Sequence, residues 1–260
     1  MRGAAVGLAL FLALIASGGV SAGGASGDLP TLGDANCDAD VAATDAAIVL
    51  QFAGAIAPSL PCMDNADVDW SESVNSVDAS LVLQHVARLV PDFVRMSLVV
   101  STDAGSCDAD VCEMPAGAAF DLTVVLANNP TTGYAGVQTN IFFGDLIYEP
   151  SASMADEIAW PDSTFPLRLV RQSEGQVAHG AMSSPIPPFP LSMHAGDLVR
   201  MRMRCPEGGG LFTTALRRYT EQFTLGSGIY YPDEDIVYAA QPHGEYGGLP
   251  VADILTIDCA

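Results

Sequence analysis

The chain has 260 residues, 49% of them hydrophobic, and a formal net charge of −21 from 31 acidic side chains against ten arginines, with no lysine. The hydrophobic content is enough for a buried core and excludes a disordered chain. The length suits one small module plus one larger domain, and the acidity argues against nucleic acid as a partner, because phosphate neutralisation needs a basic surface.

The first residues read as an export signal. Arg2 supplies a positive start, residues 4–15 form an apolar run, and Val20-Ser21-Ala22 is a small-residue cleavage site, which predicts a signal peptide over 1–22. The run is too short for a membrane span, and no cysteine follows the cleavage site to take a lipid. The expectation is a secreted, extracellular protein. Residues 23–31 are rich in Gly and Ser and predict a flexible leader.

Residues 32–93 contain a duplication. Residues 34–45 read DANCDADVAATD and residues 67–78 read DVDWSESVNSVD, offset by 33 residues from Asp34 to Asp67. Each copy sets oxygen side chains at loop positions 1, 3, 5 and 12, the spacing that wraps a short loop around a hard cation. Each then runs into nearly the same text, DAAIVLQ from Asp45 and DASLVLQ from Asp78. The candidate ligands are Asp34, Asn36, Asp38 and Asp45, with the Asp40 carbonyl, in the first loop. In the second they are Asp67, Asp69, Ser71 and Asp78, with the Ser73 carbonyl and Asn75. Magnesium demands a tighter octahedron and keeps its waters, so calcium is the expected ion, one per loop.

Two positions depart from the usual loop. Position 6, usually Gly, is Ala39 and Glu72, where a positive φ would cost about 1 kcal/mol. Position 12 is Asp instead of a bidentate Glu. The plainer reading is an acidic turn whose Asp caps a helix, but two copies in register argue against it. The spacing predicts one apolar stripe per helix, Val49, Ala53 and Ile56 in the first and Val82, Val86 and Leu89 in the second. Pro58 and Pro61 punctuate the connection, and Pro91 is expected to end the second helix.

The duplicated loop, with one short helix after each copy, resembles a type I dockerin, a module that lacks the entering helix of a full EF-hand. The resemblance implies two bound calcium ions and docking onto a cohesin-like β-sandwich. By the family pattern the partner-binding residues are Ala43, Thr44, Leu50 and Gln51, then Ser76, Val77, Leu83 and Gln84. Many cellulosomal dockerins carry a basic pair where both copies here carry Leu-Gln. The implied contact is therefore apolar with an amide hydrogen bond, and near-equivalence of the copies implies two conceivable docking orientations. The plainer expectation for Leu50 and Leu83 is packing against the chain's own second domain.

From residue 96 to 260 the text changes to short β-rich runs, at 97–101, 120–126, 136–143, 197–205 and 253–258, separated by turn residues. This predicts an all-β sandwich, jelly-roll or cohesin-like. Val199, Met201, Met203 and Cys205 alternate with Arg200, Arg202 and Arg204, so the two sets are expected on opposite faces. The prolines between 183 and 190 exclude a central strand there. The stretch from Gly133 to Pro150 looks like the start of a cohesin-like or carbohydrate-binding-module-like sandwich.

An exported chain with six cysteines favours disulfides. Fifteen pairings are open. The expected set, Cys37–Cys62, Cys107–Cys112 and Cys205–Cys259, keeps each pair within one predicted domain. Zinc is the rival, but Cys-x-x-Cys knuckles are missing.

No catalytic constellation stands out. His85, His179, His194 and His243 are scattered, with His85 expected at a surface or interface, and Asp233-Glu234-Asp235 reads as a solvated turn. Trp160, Tyr230 and Tyr231 are candidates for stacking on sugar, against core packing. The arginine row is expected either to pair with acidic neighbours across strands or to meet an acidic surface. The leading expectation is a secreted, non-catalytic protein of calcium-dependent, dockerin–cohesin-type assembly, in extracellular polysaccharide degradation. Its partner would be a cohesin-like protein or its own second domain. The alternative is a carbohydrate-binding protein whose sandwich grips polysaccharide.

Overall fold

A computed structural model describes residues 29–90, 92–108, 110–219, 226–233 and 236–260. The signal-peptide segment, most of the leader, Pro91, Glu234 and Asp235 lie outside the described residues.

The helical part contains α1 (Ala43–Ala53), the short α2 (Met63–Ala66) and α3 (Ser76–Val86). α1 and α3 pack on each other through Ala46 and Val49 on one side and Ala79 and Val82 on the other, with Leu32, Leu60, Ala66, Val68 and Phe93 completing the core. Both helices end alike. Ala55 and Arg88 take positive φ, at 56° and 58°. The amides of Ala55 and Ile56 then close onto Phe52 and Gln51, and those of Arg88 and Leu89 onto His85 and Gln84. This is the Schellman ending, built here without glycine at the left-handed position.

That ending corrects the expected stripes. Val49 and Val82 are buried, but Ala53 and Val86 are exposed, and Ile56 and Leu89 are 78% and 72% exposed. The helices stop before the third stripe position, and the left-handed residue turns the following side chain outward. The buried set is spaced i, i+1, i+4.

The larger part is a sandwich of β1 (Met96–Ser101), β2 (Ser106–Asp108), β3 (Val111–Met114), β4 (Ala119–Leu126), β5 (Gly136–Phe142), β6 (Ile147–Glu149), β7 (Phe165–Arg171), β8 (Gln176–Met182), β9 (Gly196–Arg204), β10 (Gly210–Arg217), β11 (Gly228–Tyr231), β12 (Ile236–Ala239), β13 (Glu245–Tyr246) and β14 (Leu249–Cys259). One sheet runs β1-β4-β9-β6. The other runs β12-β11-β5-β10-β14-β3-β2, with β8 on β5, β7 on β8 and β13 on β14. Among the described strands, pairing is antiparallel except for β14 with β3. Alternate residues of β4 and β9, among them Phe120, Leu122, Met201 and Met203, fill the space between the sheets.

All three expected disulfides are present. Cys205–Cys259 joins the end of β9 to the end of β14, and so one sheet to the other. Cys107–Cys112 links directly opposed residues of β2 and β3. On the outer face of β9, Arg200, Arg202 and Arg204 pair with Asp197, Asp121 and Glu149. The row is a set of ion pairs on its own sheet.

The two parts are joined by a stiff connection. Phe93 belongs to the helical core and Val94, its neighbour, to the sandwich core. Asp92 is buried and accepts from the amides of Thr131 and Thr132 and from the Tyr231 hydroxyl. Asn128 bonds the Arg95 amide and the Phe93 carbonyl. At the other end of the module, Asn129 holds the carbonyls of Leu29 and Pro30. Both ends of the helical part are therefore tied to one sandwich loop. His85 joins this contact, with Nδ1 3.1 Å from the Val90 carbonyl and Nε2 3.4 Å from Thr131.

Candidate calcium loops and the module face

The two loops share one hydrogen-bond scheme. The carboxylate at position 1 accepts from the amides at positions 5 and 6: Asp34 from Asp38 and Ala39 at 3.1 and 3.0 Å, Asp67 from Ser71 and Glu72, both at 2.9 Å. The carboxylate at position 12 accepts from position 9: Asp45 from Ala42 at 2.9 Å, Asp78 from Asn75 at 2.8 Å. Its other oxygen reaches the loop start, Asn36 in the first copy and Val68 in the second. Positions 4 and 6 take positive φ in both copies, at Cys37, Ala39, Trp70 and Glu72. The backbone makes the sharp turn without the customary glycine.

Asp45 and Asp78 also sit at the third residue of their helices and bond the amide before the first turn, which suits an acid at a helix N-terminus. Capping alone does not account for the rest of the cluster. Asp67, Asp69 and Asp78 bring one carboxylate oxygen each within 4.8 Å of one another. Burial, and then the charges of Asp69 and Asp67, push the Asp78 carboxyl above its ordinary range, against the hydrogen bonds from the loop amides. Like charges held this close favour a cation between them. The donor set is all oxygen, the preference of calcium, so the residues present fit that ion. Position 3 of the first loop is Asn36, an amide where the second loop has a carboxylate. Asn75 has a further task, since its side-chain oxygen caps α3 by accepting from Val77 at 2.7 Å.

Of the residues on the family's docking face, Leu50, Val77 and Leu83 are 46%, 52% and 43% exposed. Ala43, Thr44, Gln51 and Ser76 are also exposed, and Gln84 is half-buried. Leu50 and Leu83 occupy equivalent places on α1 and α3, one residue past the buried valines. Packing of these leucines onto the chain's own sandwich is not what the structure shows.

Between stacking on sugar and core packing, the structure places Trp160 and Tyr231 in the core. Trp160 is 1% exposed; it stacks on Tyr134 at 5.5 Å and donates to the Ser192 hydroxyl. Tyr231 is buried against Tyr238 and Asp92. Of the three candidates for stacking on sugar, only Tyr230 is partly exposed. Aromatic rings of this size dominate a sandwich core, and each polar tip here has found a partner.

One polar group escaped the sequence reading. Glu157 is buried in a short 3-10 turn (Met154–Glu157) and accepts from the Tyr148 hydroxyl, His179 Nε2, the Ser151 amide and Arg168 at 2.6–2.8 Å. Burial alone would raise its pKa, but these four donors outweigh it and hold the carboxyl down at about 2. With every oxygen satisfied, the group fastens the turn to β6, β7 and β8. Its members lie too far apart in sequence to form a motif.

No curated protein matches the chain. Similar solved structures include a chain of the complex between the third ScaC cohesin and the ScaB dockerin of Acetivibrio cellulolyticus, at 10% identity over 63% of this chain and 98% of that one, with a TM-score of 0.39. A chain of the Coh-OlpA–Doc918 cohesin–dockerin complex of Clostridium thermocellum is 9% identical over 64% and 99%, at 0.41. The seventh ScaB type I cohesin of Pseudobacteroides cellulosolvens is 10% identical over 64% and 92%, at 0.40. At such scores the sandwich is described by its own topology and not by these neighbours. For the helical part the likeness is one of sequence: residues 32–87, which hold both loops and both main helices, match the family model of the dockerin type I domain, a calcium-binding module.

Proposed function

We propose that this chain is a secreted, non-catalytic assembly protein whose helical module docks onto a cohesin-type β-sandwich of another protein, in the setting of extracellular polysaccharide degradation. Secretion rests on the signal pattern of residues 1–22. The observation that carries the docking is the pair Leu50 and Leu83, exposed at equivalent places on two helices of a segment matching the dockerin family. Calcium, when bound, neutralises the loop carboxylates. Asp34, Asp67, Asp45 and Asp78 gather the loop amides, and the loops set where α1 and α3 begin. The helices bury Val49 against Val82 and leave Leu50, Val77 and Leu83 facing out. Full burial of each such side chain by a partner is worth about 1.5–3 kcal/mol, and Gln51 and Gln84 add hydrogen bonds at the rim.

The test is a biosensor panel of recombinant type I and type II cohesin modules against the full chain. Binding to at least one module in millimolar calcium, lost in chelator and weakened roughly 100-fold or more by Leu50→Asp with Leu83→Asp, supports the reading. Binding that ignores the double substitution sinks the assigned face. A panel without a binder sinks the cohesin-type partner. The carbohydrate-binding alternative has lost its anchor, because Trp160 is a core residue.

A further inference from the structure

The twinned loops differ most at positions 4 and 6, the two residues that positive φ turns away from the ordinary course of the chain. In the first loop these are Cys37, stapled to Cys62 within the module, and the small Ala39. In the second they are Trp70 and Glu72, and both reach the sandwich. The Trp70 ring stacks on His243 with centroids 4.1 Å apart and planes 13° from parallel. Glu72 Oε1 lies 3.8 Å from His243 Nε2. The Arg95 guanidinium, at the start of the sandwich, sits 4.6 Å over the Trp70 ring and donates to the Asp67 carbonyl at 2.8 Å. Asp67 is position 1 of the loop, so Arg95 grips the backbone of a candidate ligand.

His243 is itself anchored. Its amide donates to the Val251 carbonyl at 2.8 Å, and its Nδ1 is 3.6 Å from Asp253. Asp253 is buried and accepts from the Leu98 amide of β1 at 2.6 Å. A continuous path of contacts thus runs from the second loop into the sandwich.

We infer that the second loop is a clasp, in which cation binding and docking of the module onto the chain's own sandwich are thermodynamically linked. Both events need the same loop shape. The left-handed backbone at Trp70 and Glu72 is unfavourable for non-glycine residues in a free loop. A cation that holds that shape readies Trp70 for His243, and the stacked His243 and the Arg95 bond ready the carboxylates for the cation. Linkage of this kind is reciprocal. The first loop, stapled within the module, stands outside it. The inference rests on the proposed calcium loops and adds to them a partner site inside the same molecule.

The experiment uses the full chain. Terbium, as a luminescent stand-in for calcium, is excited through tryptophan; Trp70 lies in the second loop, while Trp160 is buried in the sandwich core. Calcium affinities come from competition with a chelator, and amide exchange is followed across residues 241–253. His243→Ala should weaken cation binding at the second loop roughly 5- to 10-fold and leave the other site unchanged. Calcium should slow exchange across 241–253 in the native chain, and not in Asp78→Asn. Unchanged second-loop affinity in His243→Ala, or exchange across 241–253 that ignores calcium, overturns the clasp while the calcium loops stand. Absence of any binding by the native chain removes both.

Discussion

At the scale of single residues, Glu157 shows how a charge survives burial. Four donors converge on one carboxylate, so ionisation is favoured in the folded state even though water is excluded. Its folded pKa of about 2 lies below the unfolded value of about 4.3. The stabilisation is therefore fully present above pH ~4.3 and is lost as pH falls toward ~2. Glu157→Gln is expected to cost about 3 kcal/mol at pH 7 and to flatten the acid limb of stability between those two values. Urea denaturation at pH 7 and pH 3 checks both. The arginines of β9 behave differently. They are close to half exposed, so Arg202→Ala should cost under about 1 kcal/mol by the same measurement.

At the scale of elements, the module is assembled from two equal units that are finished differently. Each unit is a loop, an 11-residue helix and a Schellman ending. Helices of that length are marginal alone, so their persistence depends on the packed valines, the loops and the staple. Cys37–Cys62 fixes the first loop to the residue that caps α2, across a sequence separation of 25. Replacing both cysteines by serine should cost about 3.5 kcal/mol by the loop-closure relation, read as a lower midpoint of the helical circular-dichroism signal. The loops were legible in the sequence because all their ligands lie within twelve residues. The stripe positions Ala53, Ile56, Val86 and Leu89 were misread because periodicity carries no mark of where a helix ends.

At the scale of the whole molecule, the module is held at three places: Leu29 and Pro30, Asp92 to Arg95, and the contact of Trp70 with His243. Its Leu50 and Leu83 face stays open while other surfaces are covered. A fixed module offers a partner a face at a set angle to the sandwich, in contrast to a module on a loose tether. In millimolar calcium the chain should melt as one unit. Chelation should split the transition, with helical signal lost first and the disulfide-joined sheets last, as followed by calorimetry and circular dichroism together.

The sequence alone determined what is local: the twinned acidic loops, the helices that follow them and five strands with clear turn boundaries. Hydrogen bonds and ligand spacings that close within a dozen residues leave a pattern in the text. Strands such as β7, β8 and β10 left none strong enough to read. Only the tertiary structure decided which surfaces are covered. It placed Trp160 in the core, gathered Tyr148, Glu157, Arg168 and His179 around one charge, and laid His243 on Trp70. Those residues meet through sheet register and domain contact, and neither is encoded in spacing along the chain.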